Sequence, residues 1–347
     1  MFMAFKGRQI AATLISSTGA LRFRFTHNFS VLNKKMKLAP TVKLNNGHEM
    51  PILGLGTYQL KKTRCENAVR SALKSGYRHI DTAYLYGNEG LIGKVLKGLI
   101  GEGKIKRSEV FLTTKLWDIY HEPERVRYAC ELQLKLLGLD YIDLYLMHSP
   151  VGVKYVTDVD LMPHDGDQLC TNAVDFVDTY RSMEQLVDLG LVRSLGVSNF
   201  NIHQLERLWQ SCRIKPASLQ IECHPELIQL PLLEFCKARG IAVVAYSPLG
   251  RPKTSKALPS FYTDAELLAM AHKYGKTPAQ LALRYLIDIG TLPIPKAAQE
   301  LHIAENLDIF NFSLTPLELE QLGKLNRGLR IWKFLKARDH QHYPYET

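Results

Sequence analysis

From residue 41 onward the chain alternates between two hydrophobic rhythms. Short apolar runs of strand length give way to a polar loop, then to a segment whose apolar residues recur three or four apart, the spacing of one helix face. The strand-length runs fall at 52–56, 78–81, 110–115, 142–147, 194–197, 219–222, 242–246 and 292–294. Ahead of them, Leu44-Asn45-Asn46-Gly47-His48 carries an Asn-Gly hairpin signal between two short strands, where a plug at the bottom of a barrel would sit. Several helix ends are also legible. Thr263 with Glu266 and Thr315 with Glu318 read as capping boxes, Pro316 takes a first helical position, Thr277-Pro278 opens another helix, and Gly76, Gly240 and Gly275 stand where helices should stop. The alternation predicts an α/β protein, a closed (β/α)8 TIM barrel with a hairpin plug; an open doubly wound sheet would produce the same alternation.

Two connections exceed ordinary loop length, 149–171 and 249–262. Both follow strand ends, the C-terminal face where barrels keep their chemistry. Polar residues recur at the same ends: Asp81, Lys115, His148, Ser198 with Asn199, Gln220 with Glu222, Tyr246 and Lys296. Taken singly, each is an ordinary residue: a solvated loop charge, a satisfied structural histidine or, for Tyr86, a loop aromatic. Taken together they would form one ring, and a buried Asp, Lys and His on consecutive strands are costly to desolvate unless they pair. The pattern therefore predicts one pocket built from residues far apart in sequence.

Composition narrows this picture. A chain of 347 residues with 46% hydrophobic residues suits one large barrel or two ordinary domains. The formal charge of +10 suggests an acidic partner, but the first 40 residues hold seven Lys or Arg and no Asp or Glu, which leaves +3 for the rest. A nucleic-acid binder is not expected. Residues 1–35 have the composition of a mitochondrial transit peptide and are otherwise expected to be a disordered basic extension; residues 36–347 are expected to be a single barrel. The six cysteines, Cys65, Cys130, Cys170, Cys212, Cys223 and Cys236, form no C-x-x-C pair, which fits a reducing compartment and predicts a cytoplasmic protein unless the leader redirects it to mitochondria. No apolar run is long enough to span a membrane. Gly54-Leu55-Gly56 begins like a dinucleotide loop, but Gln59 stands where the third glycine belongs. There is no P-loop, H-E-x-x-H or G-x-S-x-G. His340 and His342 are read as surface residues, and no metal site is expected.

With these residues assembled, the sequence resembles the aldo-keto reductases, closest to the aldose and aldehyde reductase branch. The segments that carry the likeness include Gly76-Tyr77-Arg78-His79-Ile80-Asp81, Tyr86-Gly87-Asn88-Glu89, Thr114-Lys115-Leu116-Trp117, Leu146-Met147-His148-Ser149-Pro150, Gly196-Val197-Ser198-Asn199-Phe200, Gln220-Ile221-Glu222-Cys223-His224-Pro225, Ala245-Tyr246-Ser247-Pro248-Leu249-Gly250 and Ile294-Pro295-Lys296, in order along the chain. The resemblance implies a barrel that reduces aldehydes and ketones to alcohols with NADPH, NADH being the less favoured cofactor. It implies that Asp81, Tyr86, Lys115 and His148 are the catalytic tetrad. By the same likeness Ser198, Asn199 and Gln220 hold the nicotinamide carboxamide, Tyr246 stacks on its ring, and Ser247 and Leu249 follow the pyrophosphate. Lys296, His302, Glu305 and Asn306 surround the adenosine phosphate and adenine, while Thr57, Tyr58 and Trp117 line the cofactor and substrate mouth.

The chemistry of such a tetrad can be argued without the family. Hydride delivery to a carbonyl carbon builds an alkoxide that needs a proton, and a tyrosine, ordinarily titrating near 10, becomes a better acid beside an ammonium. Lys115 is expected to supply that ammonium, with Asp81 keeping it charged, and His148 to orient the carbonyl. Departures from the family pattern matter too. Ser149 replaces a tryptophan of the substrate wall, and Ala297 and His302 replace a small hydroxyl residue and an arginine that assist Lys296 on the 2′-phosphate. The expected partner is a small carbonyl substrate and the expected state a monomer. A nucleotide-binding, redox-sensing regulatory subunit on the same fold is the alternative, disfavoured by the intact tetrad.

Overall fold

The computed structural model describes residues 38–251 and 259–345. The leader expected over residues 1–35 and part of the loop expected over 249–262 lie outside them. Two short strands come first, β1 (Thr41–Lys43) and β2 (Glu49–Pro51), paired antiparallel so that Val42 faces Met50. The loop between them closes when the Leu44 N–H donates to the His48 carbonyl at 2.9 Å and Gly47 takes a φ of +89°. That conformation is strained for a residue with a Cβ, which is why the Asn-Gly signal reads correctly.

The strands β3 (Leu55–Gly56), β4 (His79–Asp81), β5 (Phe111–Leu116) and β6 (Leu144–Met147) follow in order, separated by helices α1 (Lys62–Ser75), α2 (Glu89–Gly101) and α3 (Pro123–Leu137). A small hairpin, β7 (His164–Asp165) with β8 (Gln168–Leu169), decorates the long loop after β6. The alternation resumes with α4 (Phe176–Asp188), β9 (Leu195–Ser198), α5 (Ile202–Ser211), β10 (Ser218–Glu222), α6 (Leu230–Ala238) and β11 (Ala242–Tyr246). It ends with α7 (Ala265–Tyr274), α8 (Pro278–Asp288), β12 (Thr291–Pro293), α9 (Glu300–Leu307) and α10 (Pro316–Gly323). Eight strands, β3 through β12 without the small hairpin, form one all-parallel sheet.

That sheet closes on itself. Pro293 and Pro295 have no N–H to offer, yet their carbonyls accept from Gly54 and Gly56, each at 3.2 Å, so the first strand joins the last. The two glycines belong to this close packing rather than to a nucleotide loop. A Cβ on Gly56 would lie 2.5 Å from the Ile294 carbonyl oxygen, and one on Gly54 would lie 2.4 Å from the His79 ring. Gly56→Ala should therefore cost about 1–3 kcal/mol through overpacking against backbone that cannot yield. Thermal unfolding of Gly56→Ala beside Gly101→Ala, whose Cβ would meet nothing within 4 Å, tests the seam. Equal melting temperatures would refute it.

The core has two shells. Inside the barrel, Phe111, Leu144, Leu146, Val244, Leu292 and Ile294 pack with Leu44 and Met50 of the β1–β2 hairpin. The hairpin is tied to the N-terminal ends of neighbouring strands by Asn45, which donates to the Pro216 carbonyl at 2.9 Å, and by Asn46, which donates to Ser194 Oγ at 2.8 Å. Outside, the apolar faces of the helices cover the sheet. The helix caps match the sequence reading at Thr315 with Glu318; Thr277 closes a further box with Gln280. They depart from it at α7, where Asp264 rather than Thr263 accepts from Leu267 N; Thr263 instead donates to the Ser260 carbonyl at 3.0 Å. Asp264 directly precedes the first helical residue, where a carboxylate reaches the open N–H groups best. The loop after β6 is held by Asp158, whose carboxylate accepts from the hydroxyls of Tyr120 at 2.8 Å, Tyr128 at 2.5 Å and Tyr155 at 3.1 Å.

Candidate active site

Strand alternation decides which polar residues meet. Successive side chains on a strand face opposite sides, so the barrel interior receives every second residue. On β4 and β5 the register pairs Asp81 with Thr113, which puts Asp81 and Lys115 on the same inward face. Leu144 and Leu146 point inward on β6, and His148, one residue beyond the strand end, continues that face. Ser198, Gln220, Glu222 and Tyr246 occupy the corresponding last inward positions of β9, β10 and β11. Tyr86 arrives differently, from a single turn of 3-10 helix, Tyr84–Tyr86, that ends at Gly87 with φ +62°.

Lys115 Nζ donates to Asp81 Oδ1 at 2.7 Å and to the Thr82 carbonyl at 2.7 Å, while Gln220 Nε2 donates to Asp81 Oδ2 at 2.7 Å. Both charged side chains are almost wholly buried, so the ion pair is held in low dielectric with its remaining hydrogen-bonding capacity engaged. Burial shifts the pair in opposite directions, Asp81 upward from its ordinary value and Lys115 downward, with the mutual attraction of the two charges opposing both shifts. The ammonium lies 5.1 Å from the centre of the Tyr86 ring. Even so, Tyr86 is pushed well above 10, by burial first and then by the Asp81 carboxylate and the Tyr58 phenol. A lysine beside a tyrosine would by itself lower the phenol. Desolvation wins because the ammonium's charge is already engaged by Asp81. His148 is held well below its ordinary 6.5 by burial and then by the Lys115 charge, so its ring is neutral.

These groups open onto a cavity of about 560 Å³, within the usual range for small-molecule sites. The cavity gathers Thr57, Tyr58, Asp81, Tyr86, His148, Ser198, Asn199 and Gln220 together with Tyr246, Ser247 and Leu249 from the end of β11 and beyond it, and Lys296, His302, Glu305 and Asn306 from the segment after β12. Asn199, at φ +63°, ties several of these residues together. Its Nδ2 donates to the His148 carbonyl at 2.9 Å, and its Oδ1 accepts from Tyr246 at 2.8 Å and Tyr345 at 3.1 Å. Lys115 stands behind Asp81 and does not line the cavity. Neither do two residues expected at the mouth. The Trp117 indole donates to the Leu161 carbonyl at 2.8 Å and presents its ring edgewise to His148, 5.0 Å centre to centre. Ser149 turns its hydroxyl to Asp118 Oδ2 at 2.9 Å, because a small polar side chain satisfies itself locally where a tryptophan would project.

Among the cavity residues that the sequence pattern did not single out are Arg64, Arg251, Trp332 and Phe334. Trp332 is placed by Glu222, whose fully buried carboxylate accepts from the backbone N–H groups of Ile331 at 2.7 Å and Trp332 at 2.8 Å, and by Ser247, whose Oγ accepts from the Trp332 indole at 3.1 Å. The available signal was Glu222 itself, a buried strand-end carboxylate for which the sequence offered no partner.

The arrangement combines a half-buried tyrosine, a charged pair behind it and a neutral histidine beside it. Aromatic rings, amide groups and cationic side chains share the cavity they line. Comparison with known proteins places the chain in company. The family profile described as Aldo/keto reductase family matches residues 52–327. The chain is 40% identical to aldo-keto reductase family 1 member C15 of Rattus norvegicus, over 89% of this chain and 98% of that protein. It is similar to the solved aldose reductase of Schistosoma japonicum at 41% identity and a TM-score of 0.83, covering 88% and 98% of the two chains. It is also similar to an aldo-keto reductase of Bombyx mori solved in complex with NADP, at 39% identity and a TM-score of 0.82, covering 89% and 100%.

Proposed function

Because the chain belongs to the aldo/keto reductase family, we propose that it is an NADP-dependent oxidoreductase that reduces aldehydes and ketones to alcohols, with Tyr86 as the general acid. The observation that carries the reading is the desolvated Lys115–Asp81 pair at 2.7 Å, set behind a half-buried tyrosine that opens onto the cavity. A dinucleotide suits that cavity chemically. Tyr246, its hydroxyl fixed by Asn199, offers a flat ring face, Gln220 and Asn199 offer amides near the reacting end, and Lys296 offers a cation at the other. The Bombyx mori relative was solved with NADP, which supports the same cofactor here.

When bound, a reduced nicotinamide supplies the hydride. The chain's own residues do the rest. The neutral His148 ring is suited to hydrogen-bond the carbonyl oxygen and hold the substrate in line. Tyr86 keeps its proton because burial disfavours the phenolate, and its hydroxyl is the group suited to pass that proton to the developing alkoxide. Lys115 steadies the phenolate left after transfer, and Asp81 keeps Lys115 in place. Tyr58, Trp332 and Phe334 wall the mouth with aromatic surface, which favours apolar carbonyl compounds over small hydrophilic ones.

The purified chain mixed with NADPH and a panel of aldehydes and ketones is expected to consume NADPH as alcohol forms. Tight NADPH binding with no turnover on any member of the panel would instead favour the regulatory-subunit reading.

A further inference from the structure

The cavity holds a cation that neither the sequence pattern nor the family motifs single out. Arg64 lies in the first turn of α1 and lines the same cavity as Lys296 and His302. Its position follows from how α1 packs: Cys65, Ala68 and Val69 are buried in one cluster with Ile303 of α9, and the Tyr77 hydroxyl, just past α1, donates to the Ile303 carbonyl at 3.2 Å. Helices α1 and α9 thereby pack against each other, which brings the start of α1 to the cavity that Lys296 and His302 also line. Among the described residues Arg64 makes no ion pair or hydrogen bond, although the nearby Glu66 is paired with Lys94 at 3.0 Å. The first turn of α1 contains no acidic residue that could neutralise it. Lys296, by contrast, reaches across to Gln59 at 3.3 Å.

We propose that Arg64 is a specificity-determining residue for the cofactor, a second cation that grips the 2′-phosphate of NADPH together with Lys296. The inference rests on the cofactor reading above. With the nicotinamide at Tyr86, the adenosine must occupy the far end, and the extra phosphate that distinguishes NADPH from NADH is carried on that adenosine. A guanidinium meets a phosphate with two parallel N–H donors, a geometry that an ammonium lacks. The cation therefore comes from the first helix, whereas at the eighth strand and its helix the positions beside Lys296 are Ala297 and His302.

Fluorescence titration of the full chain with NADPH and with NADH tests this, using Arg64→Gln and Arg64→Lys. Arg64 is exposed, so both variants should melt with the parent. Arg64→Gln is expected to weaken NADPH about tenfold and NADH less than twofold, with Arg64→Lys between Arg64→Gln and the parent. Raising ionic strength should narrow the parent's preference for NADPH more than that of Arg64→Gln. An unchanged NADPH affinity in Arg64→Gln, or equal losses for the two cofactors, would overturn the assignment while leaving the reductase reading intact. A parent that binds neither dinucleotide would overturn the cofactor reading itself, and the assignment with it.

Discussion

Tyr86→Phe is expected to lower the rate of carbonyl reduction by about 10²–10⁴ while leaving cofactor affinity within about twofold of the parent. The ring itself is not the loss. Phenylalanine keeps the contacts with Tyr58, 5.0 Å between ring centres, and with His148 at 6.0 Å, so the wall of the site stays in place. Only the hydroxyl goes, and with it the proton for the developing alkoxide. Single-turnover kinetics of the hydride step, run beside a fluorescence titration, separate the two effects. A variant that retained more than half the parent's rate with hydride transfer limiting would remove Tyr86 from this role. The pH dependence follows from the shifted groups. Tyr86, held well above 10, stays protonated as pH rises through the neutral and mildly alkaline range, and His148, held well below 6.5, stays neutral as pH falls toward 6. The reduction rate should therefore be nearly flat from about pH 6.5 to about 9.5. A decline centred near pH 7 would mean that one of these two groups titrates where burial should prevent it.

Lys115→Met should be destabilising as well as inactivating. It leaves Asp81 as a buried carboxylate with one amide donor, Gln220, in place of a full ion pair, and breaking a pair of this kind costs about 3–5 kcal/mol. The double variant Lys115→Met, Asp81→Leu removes both charges and should recover most of the melting temperature, since an apolar pair of similar volume packs without desolvation cost. Its activity should stay as low as that of Lys115→Met. If the two substitutions instead add their losses in stability, the pair is not the coupled unit described above. If the double variant regains activity, Lys115 has no part in the chemistry.

Much of this molecule is determined close to the chain. All eight barrel strands lie within a few residues of the apolar runs, because a strand needs only a short buried stretch with turn residues on either side. The period-two alternation then commits Asp81, Lys115, His148, Ser198, Gln220 and Tyr246 to one face without knowledge of the fold. Hairpin and capping residues are equally local: Gly47 closes the β1–β2 loop and Thr315 with Glu318 starts α10, because each acts on backbone within four residues. The cap on α7 was misread only between two adjacent residues that could both serve.

What needed the closed barrel is of another kind. The seam joining Gly54 and Gly56 to Pro293 and Pro295 links the two ends of the sheet, and a local pattern cannot tell such a seam from the two edges of an open sheet. Arg64 reaches the cavity only because α1 packs beside α9, and Trp332 reaches it only because Glu222 holds two backbone N–H groups of a segment that has no periodicity of its own. The same holds for acidity. Tyrosine beside lysine suggests a lowered pKa, whereas the folded site raises it, since desolvation depends on everything that excludes water around Tyr86 and one neighbour's charge depends on who else has claimed it. Short-range geometry is carried by residue type and spacing. Burial, closure and the sharing of charge are sums over the whole fold, and no stretch of sequence contains them.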